Sequence, residues 1–308
     1  MKGLSGMRRT VVIGAGAAGV GAVVIGLAIV ASQQGLFGGK ARWLLGQADR
    51  AAARQQWAEA QEHLEELIAT FPDSPWADDG LLKLGQVYEA QEMLLEARAM
   101  YRMVVERFPD SSLLGRAQQQ LGAINVAVLF SPTVTEHDTT YQVRPGDTLG
   151  KIASGHATTV ELIKRANGLS GDVIRVGRQL KIPRGQFSIV VDKSQRQLLL
   201  KQNEEFLKTY PIATGRENST PEGTFKIVNR IPNPVWYTQN AVVPADSPEN
   251  ILGTRWMGFD KKGYGIHGSV DMAPITQQET AGCIRLINQD VEELFAIVPV
   301  GTEVTIVN

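Results

Sequence analysis

The sequence predicts a modular, multidomain α+β protein: an N-terminal transmembrane helix, an array of α-helical hairpins, a small segment that opens and closes on strands, and a β-rich C-terminal third. Three observations carry this reading. Residues 11–31 are uncharged and mostly apolar, residues 40–127 repeat themselves with an offset of 37, and three stretches beyond residue 186 are dense in β-branched and aromatic side chains. With 308 residues, 43% of them hydrophobic and 20% charged, the chain has room for two or three modest domains besides the span.

Lys2, Arg8 and Arg9 precede the apolar stretch, and no charged residue occurs between Arg9 and Lys40. Residues 11–31 are therefore expected to form an uncleaved signal-anchor, with residues 1–10 as a cytoplasmic tail and the rest of the chain outside the cytoplasmic membrane. Two rivals have less support. Gly14-Ala15-Gly16-Ala17-Ala18-Gly19 spells a dinucleotide-binding fingerprint, but no second strand ending in an acidic residue follows. A cleaved signal peptide would have a shorter apolar core, and the region of Ala31 lacks a clean small-x-small site.

In the repeat, Glu59-Ala60 recurs as Glu96-Ala97, Phe71-Pro72-Asp73-Ser74 as Phe108-Pro109-Asp110-Ser111, and Leu84-Gly85 as Leu121-Gly122. Trp57, Ala60, Leu64, Leu67, Ile68 and Phe71 follow a helical spacing, and the Pro-Asp-Ser after them supplies a stop, a turn and a cap. These hairpins resemble tetratricopeptide repeats, with a period slightly above the usual value of about 34. About two and a half repeats are visible, near the minimum for a continuous core, so one end is expected to dock on something else. The resemblance implies a protein partner or an extended peptide; a passive stalk fits equally well. Residues 128–139 read as a polar linker.

Residues 140–184 open on Tyr141 and Val143, which alternate as a strand does, turn at Pro145-Gly146, offer Asp147 or Thr148 as a helix cap, and close on Leu180 and Ile182 as a second strand. With Asn167-Gly168-Leu169 and Gly177-Arg178-Gln179-Leu180-Lys181-Ile182-Pro183, this segment resembles a LysM module. The resemblance implies a βααβ fold that binds glycan strands containing N-acetylglucosamine; a spacer of the same shape is the alternative. The segment holds eight Lys or Arg against three acids, in a chain whose net charge is −1. Its glycan contacts are expected to be separable from the chemistry described next.

In the C-terminal third, residues 187–192, 197–200, 206–213 and 224–229 read as strands. The chain has one cysteine, in Thr280-Ala281-Gly282-Cys283-Ile284-Arg285. Without an internal disulfide partner it is a buried small hydrophobe, a free thiol or a reagent, and its neighbours favour the reagent. Gly282 lets the backbone approach a substrate and lets successive N–H groups converge, as an oxyanion requires. A thiol of pKa about 8.5 also needs a base. His267, in Gly265-Ile266-His267-Gly268, is the candidate, since His63 falls in a helical stretch, His137 in the linker and His156 in the small module.

Gly215, Thr220-Pro221-Glu222-Gly223-Thr224-Phe225, Pro234-Val235-Trp236 and Leu252-Gly253-Thr254-Arg255-Trp256 precede these two motifs in order. Over residues 187–308 the chain resembles the L,D-transpeptidase catalytic domain, also called YkuD-like. Ala281 departs from the pattern, which often has a basic residue or His at that place. The resemblance implies a cysteine-dependent acyltransferase acting on peptidoglycan. Cys283 would attack a stem-peptide diamino acid and release terminal D-Ala, and an amine from a second stem would resolve the thioester, with His267 as base. Gly282, Gly268, Thr280 and Arg285 form the expected oxyanion and substrate-binding set. In it Thr280 orients the turn, and Arg285 either takes a substrate carboxylate or makes a structural ion pair. Trp236, Tyr237 and Trp256 either line the cleft or pack in the core. The same resemblance implies acylation of Cys283 by carbapenem-type β-lactams. If His267 activates Cys283, the rate should also fall on acidification within about pH 5 to 8, where histidine normally titrates.

The sequence implies no cofactor and offers no metal-ligand spacing, and its charge balance argues against nucleic acid. Two other functions stay open. An L,D-carboxypeptidase or endopeptidase would let water resolve the same thioester, and a non-catalytic cell-wall tether would use only the glycan module and the repeats.

Overall fold

The computed structural model describes residues 34–238, 240–269, 275–277 and 279–308. The expected tail and span lie outside these, and among the described residues no helix is long and apolar enough to cross a membrane.

Five helices come first: α1 (Gln34–Ala53), α2 (Trp57–Thr70), α3 (Ala77–Ala90), α4 (Leu94–Arg107) and α5 (Leu114–Phe130). The repeat read in the sequence relates α2 to α4, and their buried stripes match: Ala60, Leu64 and Leu67 on one, Ala97, Tyr101 and Val104 on the other. It also relates α3 to α5. A Cβ on Gly85 of α3 would lie 2.4 Å from the Tyr101 ring, so a glycine is what lets α4 close down there.

Two short strands and two short helices follow: β1 (Asp138–Gln142), α6 (Leu149–Gly155), α7 (Val160–Ala166) and β2 (Gln179–Pro183), with β1 antiparallel to β2. Of the two cap candidates, Thr148 caps α6 by accepting from the Lys151 N–H, while Asp147 accepts from the Arg144 N–H and the Tyr141 hydroxyl. Thr159 caps α7 in the same way.

The C-terminal domain contains β3 (Phe187–Asp192), β4 (Gln197–Gln202), β5 (Glu205–Pro211), β6 (Thr214–Gly215), β7 (Gly223–Pro232), β8 (Trp236–Tyr237), β9 (Val242–Val243), β10 (Arg255–Phe259), β11 (Gly265–His267), β12 (Glu279–Thr280), β13 (Ile284–Arg285), α8 (Asn288–Ile297) and β14 (Glu303–Val307). Eight of these form one sheet in the order β13-β11-β10-β7-β14-β3-β4-β5. The long strand β7 joins its two halves, pairing with β14 through its first residues and with β10 through its last. Val291, Leu294 and Phe295 of α8 complete a core with Ile189, Val191, Ile266, Ile284 and Ile306.

The end of the repeat array docks on this domain. Gly122 is the repeat equivalent of Gly85, but it faces β5 instead of another helix: a Cβ there would lie 3.3 Å from the Lys208 Cα. Asn125 donates to the carbonyls of Phe206 and Leu207 at 3.2 and 3.0 Å. An edge strand whose outer carbonyls would otherwise face solvent is thereby covered. One helix serves two cores, Ile124 and Val128 packing with the repeats and Val126 and Leu129 with the sheet.

Candidate active site

The site is set by β11 and β13, which run parallel with Ile266 beside Ile284 and His267 beside Arg285. Side chains alternate along a strand. Ile266 and Ile284 therefore enter the core, while Gly265, His267 and Arg285 share the opposite face with Cys283, one step before β13.

His267 is 2% exposed, and its ring lies 6.0 Å from that of Trp256, nearly parallel to it. Nδ1 lies 2.7 Å from the Gly268 carbonyl oxygen. A carbonyl only accepts, so Nδ1 carries the proton and Nε2 presents its lone pair. Burial pulls the imidazole down to about 4, opposed by that hydrogen bond and reinforced by the Arg285 charge. Burial also pushes the Cys283 thiol up, while a Gly265 backbone hydrogen bond and Arg285 draw it the other way. The half-buried thiol donates to the Gly263 carbonyl at 3.6 Å. At neutral pH the thiol and the imidazole thus both rest neutral.

The turn that delivers the thiol is held by Thr280. Its hydroxyl donates to the Cys283 carbonyl at 2.6 Å and accepts the Gly282 N–H at 3.0 Å. Gly282 was expected to supply an oxyanion donor, but its N–H is spent inside the turn. Its required role is conformational: φ is +133°, and a Cβ would lie 2.8 Å from the Tyr264 ring. Gly268 is needed for space, because a Cβ there would lie 2.2 Å from the Asn288 Oδ1, which also accepts from the Thr254 N–H. Arg285 donates to the Glu279 carbonyl at 3.3 Å and exchanges backbone hydrogen bonds with Ala213. Trp256 lies beside His267, whereas Tyr237 is 74% exposed on the β8–β9 ribbon. Among the described residues no group of His, Cys, Asp and Glu gathers as a metal site.

Residues 186–306 match the L,D-transpeptidase catalytic domain family, YkuD; residues 141–183 match the LysM domain, and residues 40–74 and 79–111 the tetratricopeptide repeat. The L,D-transpeptidase homologue YkuD of Bacillus licheniformis is 39% identical over 174 residues, which cover 54% of this chain and 97% of that protein. The chain belongs to the L,D-transpeptidase family. YkuD of Bacillus subtilis is 37% identical over 174 residues, covering 54% of this chain and 98% of its own length. A solved L,D-transpeptidase from Mycobacterium smegmatis aligns with 44% of this chain and 65% of that one, at 19% identity and a TM-score of 0.34.

Within the L,D-transpeptidase domain, the residues behind the Cys283 turn escape a reading of the sequence. Tyr264 packs on Gly282, and Asn288 on Gly268. Gly215 and Thr220 stand out in the sequence only as family landmarks, although both lie behind the turn, and Lys193 carries no sequence signal. Each meets a residue well separated from it in the chain.

Proposed function

We propose that the protein is a peptidoglycan L,D-transpeptidase working through a Cys283 thioester. The observation that supports this reading is the β11–β13 pairing, which brings Cys283 and His267 to one face of neighbouring strands, with the imidazole Nδ1–H held by the Gly268 carbonyl. As sulfur attacks the carbonyl carbon of the L-centre of a stem-peptide diamino acid, the S–H proton passes to Nε2. The Gly268 carbonyl stabilises the imidazolium that forms. His267 then protonates the departing D-Ala amine, the C–N bond breaks, and a thioester remains. In the second half, an amine of another stem attacks the thioester and gives its proton to His267, and the released thiolate takes that proton back.

With the Gly282 N–H occupied, the Cys283 N–H is the oxyanion donor of this turn. Arg285, on the same face, takes a substrate carboxylate through its planar fork. The LysM module holds glycan strands, the span over residues 11–31 tethers the enzyme to the membrane with its catalytic domain outside, and the repeat helices away from β5 offer a surface to a protein partner.

The test is intact-protein mass spectrometry with a soluble stem peptide, together with mass spectrometry of digested sacculi from cells with and without the enzyme. A covalent adduct on the wild type, none on Cys283→Ala, and loss of the amide cross-links are expected. Unaltered cross-linking by Cys283→Ala would end the thiol mechanism.

A further inference from the structure

Behind the nucleophile turn lies a chain of contacts that the two-residue chemistry does not use. Lys193, just past β3, is buried, and its ammonium donates to the Thr220 carbonyl at 3.3 Å and to Glu222 at 2.8 Å. Thr220 is 2% exposed, and its hydroxyl accepts the Gly215 N–H at 2.7 Å. Gly215 pairs with Thr280 across the parallel β6–β12 ladder. A Cβ on Gly215 would lie 2.7 Å from the Gly282 Cα, so the two backbones are in direct contact. Thr280 in turn holds the Gly282 N–H and the Cys283 carbonyl. Between Gly215 and Thr220, Glu217 and Asn218 both adopt left-handed backbone angles, at φ 53° and 59°. Side-chain residues avoid this region unless the surroundings impose it.

We propose that Thr220, held by Lys193, is a positioning residue that fixes the Cys283 turn in its acyl-accepting geometry. The Lys193 ammonium clamps the carbonyl of Thr220 and its hydroxyl clamps Gly215, so the strained loop presses one fixed backbone surface against Gly282. This rests on Cys283 being the nucleophile.

The test compares two reactions of the same sulfur. Acylation by a carbapenem needs the turn's geometry around a developing oxyanion, whereas alkylation by iodoacetamide needs only an accessible thiol. Thr220→Val, close in shape but without the acceptor, is expected to slow acylation by about tenfold to a hundredfold, the scale of a small misplacement in an active site. Alkylation should stay within about twofold of wild type, and Thr220→Ser should restore acylation. Wild-type acylation by Thr220→Val, or a parallel fall of both reactions, would overturn the proposal. If Thr220→Val does not accumulate as folded protein, Lys193→Met makes the same comparison one link further out, with the same two outcomes. Cys283→Ala run alongside separates the two ideas: an adduct on it would sink the nucleophile, whereas normal acylation of Thr220→Val without one would sink the positioning role alone.

Discussion

At the residue scale, burial decides the resting state of the pair. An exposed histidine titrates near 6.5, which is why the sequence suggested an acid limb between about pH 5 and 8. With the imidazole pulled down to about 4, the neutral base persists into acid, and the acid limb of acylation moves down toward that value. A pH–rate profile centred near 6.5 would show that His267 is solvated when it acts. The sign for stability follows. Because the folded value lies below the unfolded one, the unfolded chain binds more protons between the two, and stability present above about 6.5 is lost as pH falls toward 4, by about 3 kcal/mol. Denaturant titrations at a series of pH values, compared with His267→Gln, would isolate that slope. Gly282→Ala places a methyl against Tyr264 at a backbone angle that alanine rarely adopts. It is expected to cut acylation by about a hundredfold and to cost about 1 kcal/mol or more in folding. Acylation at the wild-type rate would show that the turn tolerates another path. Cys283 and His267 stand out in the sequence because their motifs are short. Lys193 and Thr220 were not, because nothing in their own neighbourhoods says what they touch.

At the element scale, helix α5 shows how much of a helix's character comes from its neighbours. The sequence gives its repeat position and its apolar spacing, and shows that the array is too short to end on itself. That the missing neighbour is strand β5 depends on Asn125 and Gly122 meeting a backbone from another domain. Asn125→Leu leaves two carbonyls of β5 without this donor, and a loss of about 1–3 kcal/mol is expected from urea unfolding. An unchanged midpoint would show that α5 covers the edge by packing alone. The strands expected at residues 187–192 and 224–229 lie within β3 and β7, where five or more residues carry the pattern. The two-residue strands β6, β12 and β13 carry no periodicity. They exist only because a partner lies beside them, and the parallel β11–β13 pair that builds the site is one of these cases.

At the scale of the whole molecule, the modules are fused. Lys181 of β2 donates to the carbonyls of Val128 and Ser131 at the end of α5, at 2.9 and 3.0 Å, and faces Asp138 at 3.5 Å with both side chains 2% exposed. Burial pushes its ammonium down while Asp138 holds it up. Leu162 of α7 belongs to the catalytic core, the Thr159 hydroxyl donates to the Ala296 carbonyl, and Arg230 sits between Glu161 and the Phe295 ring. The sequence suggested that residues 140–184 could be removed without harm to turnover of a small soluble peptide. The structure predicts otherwise, because deletion opens the catalytic core at Leu162 and uncovers the end of α5. Lys181→Met, which leaves the Asp138 carboxylate buried without its cation, is expected to cost about 3–5 kcal/mol. Calorimetry of residues 34–308 should show one cooperative transition, and two resolved transitions would show the modules to be independent.

The sequence by itself determined the order of the helical repeat, the small module and the C-terminal domain, the family of that domain, and the cysteine and histidine that its motifs single out, because each is written in short-range spacing or in a local motif. Only the tertiary structure decided which amide of the turn is occupied, which way burial shifts His267, what stands behind Cys283 and which helix closes which sheet. Those depend on burial and on partners far apart in the chain, and both exist only once the backbone has brought distant segments into contact.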